Sequence, residues 1–252
     1  MRILLLGGTT EARELAGLLA GEHPVTTSLA GRTRAPRWPD GDVRVGGFGG
    51  VDGLAAFLRA ERIELLVDAT HPFAATMSGH AVAAGALAGV PLLVVRRPGW
   101  SAAPGDEWHR VASLAEAAVT VRTHRWRRVF LTTGRQGLSV FAELDECWFL
   151  ARSVEPPDAP APRQLRVLLD RGPFTVDGER ALLAEHRIDV LVTKDSGGSD
   201  AKLVAARALG VPVLMVDRPP VPAAPTVPTA DAAAAWINET AFDQTDTGWS
   251  EP

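Results

Sequence analysis

Leu4-Leu5-Leu6-Gly7-Gly8-Thr9-Thr10-Glu11-Ala12-Arg13 decides how the rest of the chain is read. The apolar run Met1–Leu6 is long enough for one buried strand. From Glu11 to Ala20, Leu15, Leu18 and Leu19 recur at helical spacing. Gly7, Gly8, Thr9 and Thr10 therefore form a tight turn from a buried strand into a helix. Glycine lets backbone approach a ligand closely, and a helix N-terminus offers free N–H groups with partial positive charge. The turn fits the phosphates of a nucleotide cofactor. A dinucleotide fingerprint places Gly-x-Gly-x-x-Gly here, whereas this chain has Gly7, Thr9 and Ala12 at the three positions. A tight turn that holds no ligand satisfies the same residues.

Outward from that turn the chain alternates apolar strands with helices. Val25–Ala30, Val43–Val45, Ile63–Ala69 and Pro91–Val95 read as strands, and Val51–Glu61 and Ala74–Ala88 as helices. Val129–Thr132, Cys147–Leu150, Asp189–Thr193 and Val213–Val216 repeat the strand pattern. Leu138–Leu144, Arg163–Leu169, Asp177–His186 and Asp231–Asn238 read as helical. Such alternation predicts parallel sheets covered on both faces. The halves resemble each other: Ile63-Glu-Leu-Leu-Val-Asp-Ala69 matches Ile188-Asp-Val-Leu-Val-Thr-Lys194. Likewise Gly89-Val-Pro91 and Arg97-Pro98 match Gly210-Val-Pro212 and Arg218-Pro219. The expectation is an α/β protein of two similar Rossmann-like lobes, each a mostly parallel sheet with helices on both faces. Their loop ends would flank a cleft. The lobes are placed at 1–97 and 108–240, with a Pro/Gly-rich linker at 98–107 and a flexible polar tail at 241–252.

The net charge of −4 gives no general affinity for nucleic acid or anionic membrane. No apolar run reaches the roughly 18 residues of a membrane span, and no signal-peptide layout opens the chain. A cytoplasmic location is expected. A single cysteine, Cys147, rules out an internal disulfide, and the six histidines lack metal-ligand spacing. No metal is expected, and the seven tryptophans are scattered without an evident role.

The loops after the strands carry the candidate chemistry, because parallel sheets bind ligands beyond the carboxyl ends of their strands. Arg32 and Arg34 follow the second strand, where an acid reads a ribose 2′-hydroxyl and an arginine a 2′-phosphate. No acid stands between Ser28 and Ala35. If a dinucleotide binds, NADP(H) fits better, with Ser28 and Thr33 as hydroxyl donors; a solvated basic loop is the alternative. Thr70-His71-Pro72-Phe73 offers an imidazole able to act as acid, base or donor near neutral pH. Gly46–Gly50 fits a close approach to cofactor or a flexible turn. In the second half, Thr132-Thr-Gly-Arg135-Gln136-Gly137 and Lys194-Asp195-Ser196-Gly197-Gly198-Ser-Asp-Ala-Lys202, with Arg152, make a basic wall suited to a polycarboxylate.

Leu4–Arg13, Asp68-Ala-Thr-His-Pro-Phe-Ala74, Thr132-Thr-Gly-Arg135 and Thr193-Lys-Asp-Ser-Gly-Gly198 together resemble the precorrin-6A reductase family of cobalamin biosynthesis, over roughly Arg2 to Trp236. The resemblance implies two α/β lobes with the active site between them, NADPH as cofactor, and a tetrapyrrole, precorrin-6A or its cobalt counterpart, as substrate. It implies hydride transfer to a ring carbon and protonation of the neighbouring carbon. His71, Lys194, Asp195 or water would supply the proton. Gly7, Gly8, Thr9, Thr10, Glu11, Ser28, Arg32, Thr33, Arg34, Thr70 and His71 would hold the cofactor. Arg135, Gln136, Arg152, Lys194, Ser196, Gly197, Gly198 and Lys202 would meet the substrate. A short-chain dehydrogenase is disfavoured because the chain has no tyrosine for the Tyr-x-x-x-Lys pair. A two-lobed sensor that binds NADP(H) or tetrapyrrole without turnover is the other reading.

Overall fold

A computed structural model describes residues 1–31 and 37–246, with side chains to 240. The first stretch runs β1 (Ile3–Leu6), α1 (Thr10–Leu19), β2 (Val25–Leu29), β3 (Asp42–Val45), α2 (Gly50–Ala60), β4 (Leu65–Asp68), α3 (Ala75–Ala88) and β5 (Leu92–Val95). The second runs β6 (Trp108–Val111), α4 (Leu114–Thr123), β7 (Arg128–Leu131), a 3-10 helix (Arg135–Phe141), β8 (Trp148–Ser153), β9 (Leu165–Leu169), α5 (Val176–Glu185), β10 (Val190–Lys194), α6 (Ala201–Leu209) and β11 (Val213–Val216). The chain closes with β12 (Thr226–Val227) and α7 (Ala230–Asp246).

Two compact units result: 1–98 with 219–252, and 99–218. Each holds a six-stranded sheet, and every observed strand pair is parallel. The first sheet is ordered β3-β2-β1-β4-β5-β12 and the second β9-β8-β7-β10-β11-β6. The first has the doubly wound order 3-2-1-4-5-6; the second arranges β7–β11 in the same way with β6 at the far edge, so the switch points lie beside β1 and β7. The repeat legible in the sequence is therefore topological: β4 and β10 occupy the same place in their sheets, as do β5 and β11.

What differs is the source of the sixth strand. In the second sheet it is β6, which precedes the unit's other strands. In the first it is β12, supplied after the chain has returned from the second unit. Residues 219–240 thus lie with the first unit and not, as the sequence division had them, with the second. β12 pairs with β5, and Ala230, Ala233 and Ile237 of α7 are buried with Leu15 and Leu19 of α1. Burying a side chain such as Ile237 contributes about 1.5–3 kcal/mol, and the first unit's core supplies that burial. Helix α7 continues to Asp246, so the expected tail is shorter than 241–252; residues 247–252 lie outside the described residues. The expected linker also changes. Residues 99–106 belong to the second unit, where the Asp106 carboxylate takes two hydrogen bonds from Arg207, at 2.8 and 3.1 Å.

The cores explain the apolar runs. Ile3 and Leu5 pack with α1 and α7, while Leu4 and Leu6 pack with α2 and α3. Successive strand side chains point to opposite faces. A strand covered on both sides must then be apolar throughout, which is why Leu4–Leu6 shows no alternation. Two helical readings fail. Leu165–Leu169, inside the segment 163–169, is an edge strand paired with β8; its leucines suit either period, and only the exposed edge of β8 selects the strand. Residues 135–141 form a short 3-10 helix instead of a helix from Leu138 to Leu144.

Candidate functional site

In the first unit the loops after β1 and β4 meet at the switch point. Ala69 N donates to Leu6 O at 3.0 Å, and Thr9 Oγ1 donates to Ala69 O at 2.7 Å. The same hydroxyl accepts from Ala12 N at 3.1 Å and so caps α1. Thr9, at the second glycine position of the fingerprint, thus uses its side chain to join two loops. The turn still presents backbone. At Gly7 a Cβ would stand 2.8 Å from Thr27 Cγ2, so no side chain fits. Gly8 has φ +112° and open space where a Cβ would point. The first amides of α1, Thr10 and Glu11, have no helical acceptor. The Glu11 carboxylate accepts from Arg97 Nη1 at 3.0 and 2.8 Å. Burial is the largest influence and acts to raise its pKa, but the Arg97 hydrogen bond and charge, the residue's own backbone N–H and Thr9 together outweigh it and hold the carboxyl below its ordinary value. Arg97 thereby offsets a negative charge that would oppose phosphate at this helix end. Gly8→Ala puts a Cβ into the open turn and costs about 1–2 kcal/mol in left-handed backbone. If the turn holds the phosphates of NADPH, the expected outcome is a folded protein with at least roughly tenfold weaker NADPH binding by calorimetry; unchanged affinity would reject that role.

Ser28, the last residue but one of β2, is buried at 6% exposure. Beside it stands a residue that sequence reading missed, Arg44 on β3. Its guanidinium donates to Gly46 O at 2.6 Å, Gly47 O at 2.7 Å and Ser28 Oγ at 3.4 Å, and stacks 3.9 Å from the Phe48 ring centroid. Gly46–Gly50 is thus a clasped loop. Gly53 is required beneath it, because a Cβ there would collide with the Phe48 carbonyl. Nothing in the local pattern marks Arg44, since only the pairing of β2 with β3 brings it to Ser28. Arg32, Thr33 and Arg34 lie outside the described residues.

After β4, the buried Asp68 carboxylate accepts from Thr70 N at 3.0 Å and Thr70 Oγ1 at 2.7 Å. The Thr70 hydroxyl proton is therefore used within the loop. His71 is exposed and its Nδ1 accepts from Phe73 N at 3.2 Å. A neutral imidazole held this way carries its proton on Nε2. Helix α3 begins without a side-chain cap.

The second unit repeats this layout with different chemistry. After β7, Gly134 has φ +79° and Thr133 is buried with its hydroxyl unpartnered among the described residues. The short 3-10 helix that follows carries no dipole comparable to that of α1. Arg135 pairs with the exposed Asp158 at 3.5 Å, a contact of small energy; Gln136 is exposed. Arg152 is partly buried: its Nη2 lies 2.6 Å from the buried Glu179 Oε1 and its guanidinium 3.7 Å from the Phe174 ring centroid. The expectation of an open cation there gives way to a buried ion pair.

After β10, Lys194 is half-buried, and desolvation lowers its pKa below the ordinary lysine value. Asp195 points the other way. Its Oδ1 accepts from Trp100 N at 3.0 Å and its Oδ2 from Arg110 Nη2 at 3.1 Å, with Arg218 Nε 3.6 Å from Oδ1. A Cβ on Gly99 would lie 2.9 Å from Oδ2. The carboxylate expected as a proton source is a buried anchor for three separate segments. Beyond it Gly197 and Gly198 have φ +68° and +77°, and α6 starts without a side-chain cap. Among the described residues no group of three His, Cys, Asp or Glu could hold a metal, and no helix is long and apolar enough to cross a membrane.

This pair of glycine-bearing switch points has direct counterparts. A sequence profile described as "Precorrin-6x reductase CbiJ/CobK" matches residues 2–238. The chain belongs to the precorrin-6x reductase family. A precorrin-6A reductase of Rhodococcus erythropolis is 56% identical over 241 residues, 94% of this chain and 97% of the relative. A cobalt-precorrin-6A reductase of Priestia megaterium is 32% identical over 232 residues, 86% of this chain and 90% of the relative. The solved structure "CobK precorrin-6A reductase" superposes with TM-score 0.88 at 45% identity, covering 95% of this chain and 96% of that one. Two-lobed α/β architecture is thus a property of the family, as the sequence resemblance implied.

Proposed function

We propose that this protein reduces precorrin-6A to precorrin-6B in cobalamin biosynthesis, with NADPH as reductant. The observation that carries the reading is the family match over 2–238, combined with a glycine turn at the switch point of a 3-2-1-4-5-6 sheet. Identity favours the cobalt-free substrate: 56% to a precorrin-6A reductase against 32% to a cobalt-precorrin-6A reductase.

The residues present fit a dinucleotide. Gly8 leaves room for pyrophosphate while Gly7 lets the turn pack on β2, the first amides of α1 face the phosphates, and Ser28 with Arg44 stands where the adenosine ribose would lie. The bound nicotinamide supplies the hydride. The Lys194 ammonium, and His71 as its imidazolium, are the chain's own candidates to deliver a proton; the neutral His71 ring offers Nε2–H as a hydrogen-bond donor. Lys194, Lys202, Arg135 and the backbone of Ser196–Gly198 take the peripheral carboxylates of the tetrapyrrole, with Gln136 as a neutral donor. Arg152, paired with Glu179, supports that wall from behind. Arg32 and Arg34 are proposed to read the 2′-phosphate. Arg32→Ala, with Arg34→Ala, is expected to weaken NADPH by roughly tenfold while NADH is little changed; equal weakening rejects that role.

Turnover is the test. Loss of nicotinamide absorbance only when precorrin-6A is supplied supports the reductase. Binding of both ligands with flat absorbance would instead favour a sensor.

A further inference from the structure

We propose that Trp100 is a positioning residue that holds the loop Lys194–Lys202 in the shape that receives substrate carboxylates. The inference rests on the reading of that loop as the tetrapyrrole's anion site. Trp100 is remote from the loop in sequence, within the segment 99–106 that connects the first unit's β5 to β6. Three contacts nevertheless join it to the loop's beginning, middle and end. Its backbone N donates to Asp195 Oδ1 at 3.0 Å. Its indole Nε1 donates to Gly198 O at 3.0 Å. Lys202 Nζ lies 4.3 Å from its ring centroid.

The loop needs such an external hold. Gly197 and Gly198 both adopt left-handed backbone, and adjacent glycines have little intrinsic preference for one shape. Asp195 fixes the base through its own carboxylate, but nothing in the loop's own sequence fixes the Gly198 carbonyl. The indole N–H does so, and thereby orients the following peptide groups. The ring face meanwhile keeps the Lys202 ammonium at the loop by cation–π attraction. Gly99 makes this possible, since any side chain there would strike the Asp195 carboxylate.

Side-chain substitution separates these contacts, because the backbone bond to Asp195 survives it. Trp100→Phe keeps an aromatic face and loses the N–H; Trp100→Leu loses both. With full-length protein, NADPH and precorrin-6A, the KM for precorrin-6A is expected to rise about fivefold in the Phe variant, the scale of one hydrogen bond. In the Leu variant it is expected to rise more than about tenfold as the cation–π contact also goes. The kcat and the KM for NADPH are expected to stay within about twofold, the mark of lost ground-state binding alone. An unchanged KM for precorrin-6A in the Phe variant, or a parallel fall in kcat and rise in both KM values, would overturn the inference; the Phe variant decides alone if the Leu variant does not fold. Lys194→Ala and Lys202→Ala serve as controls. If they raise the KM for precorrin-6A and the Trp100 variants do not, the positioning role fails and the site stands. If none of the four raises it, the site reading has failed.

Discussion

Asp195→Ala is expected to unfold the second unit at markedly lower temperature and urea concentration. The carboxylate is 5% exposed and serves Trp100 N, Arg110 and Arg218 together. Removing one partner of a buried charge network leaves the other groups desolvated and unpaired, at a cost of roughly 3–5 kcal/mol. Arg110 is 45% exposed and retains Asp217, with its Nε 2.6 Å from Asp217 Oδ1, so solvent screens part of that loss. Arg218, at 13% exposure, loses the 3.6 Å ion pair to Oδ1 but keeps the hydrogen bond from its Nε to the Asp195 carbonyl oxygen. Total stabilities lie near 5–15 kcal/mol, so the loss is a large fraction, and a Tm lower by roughly 10 °C is the expected scale. Asp195→Asn keeps the shape and one acceptor and should fall between wild type and the alanine variant. Wild-type stability in Asp195→Asn, with turnover abolished, would restore the residue to proton transfer.

Its neighbour is expected to behave in the opposite way. Lys194→Ala removes a desolvated cation, so stability should change little. Substrate use should suffer instead, because a charge-assisted hydrogen bond to a carboxylate is worth about 1.5–3 kcal/mol, or roughly tenfold to a hundredfold in the KM for precorrin-6A. The dissociation constant of NADPH should stay close to wild type. Loss of cofactor affinity would move the loop to the other ligand. A pH dependence accompanies this. Burial lowers the pKa of Lys194 in the folded protein, so the unfolded chain binds the proton more tightly. Its contribution to stability then rises with pH between the lowered value and the ordinary one. Substrate affinity runs the other way, since the ammonium that attracts carboxylates is lost as pH climbs through the lowered value. Wild-type KM for precorrin-6A is expected to increase with pH in that window, and Lys194→Ala to flatten the increase.

Residues 194 and 195 show how far the sequence could be read. Both are charged, Lys194 ends β10 and Asp195 follows it, and their loop reads from sequence as the most polar in the second half. Their different surroundings follow from the partners of Asp195, Trp100, Arg110 and Arg218, which lie 23–95 positions away, and no spacing rule reaches those. Arg152 shows the same limit. An arginine after a strand reads as an open cation until α5 brings Glu179 against it. Thr9 illustrates a related one: its departure from the fingerprint looked like a weakness in a phosphate turn, and the structure shows a cap and a tie to Ala69.

The amino-acid sequence by itself determined the doubly covered parallel sheets, the glycine turn after β1 and the twofold repeat. Those features rest on short-range physics: apolar runs that must be buried on both faces, and backbone that only glycine permits. Tertiary structure alone decided that 219–240 returns to the first unit, that Arg44 clasps Ser28, and that the Asp195 carboxylate is tied to Trp100, Arg110 and Arg218. Each of those depends on a long-range partner whose hydrogen bonds or buried surface outweigh the local pattern, and that partner exists only once the chain has folded.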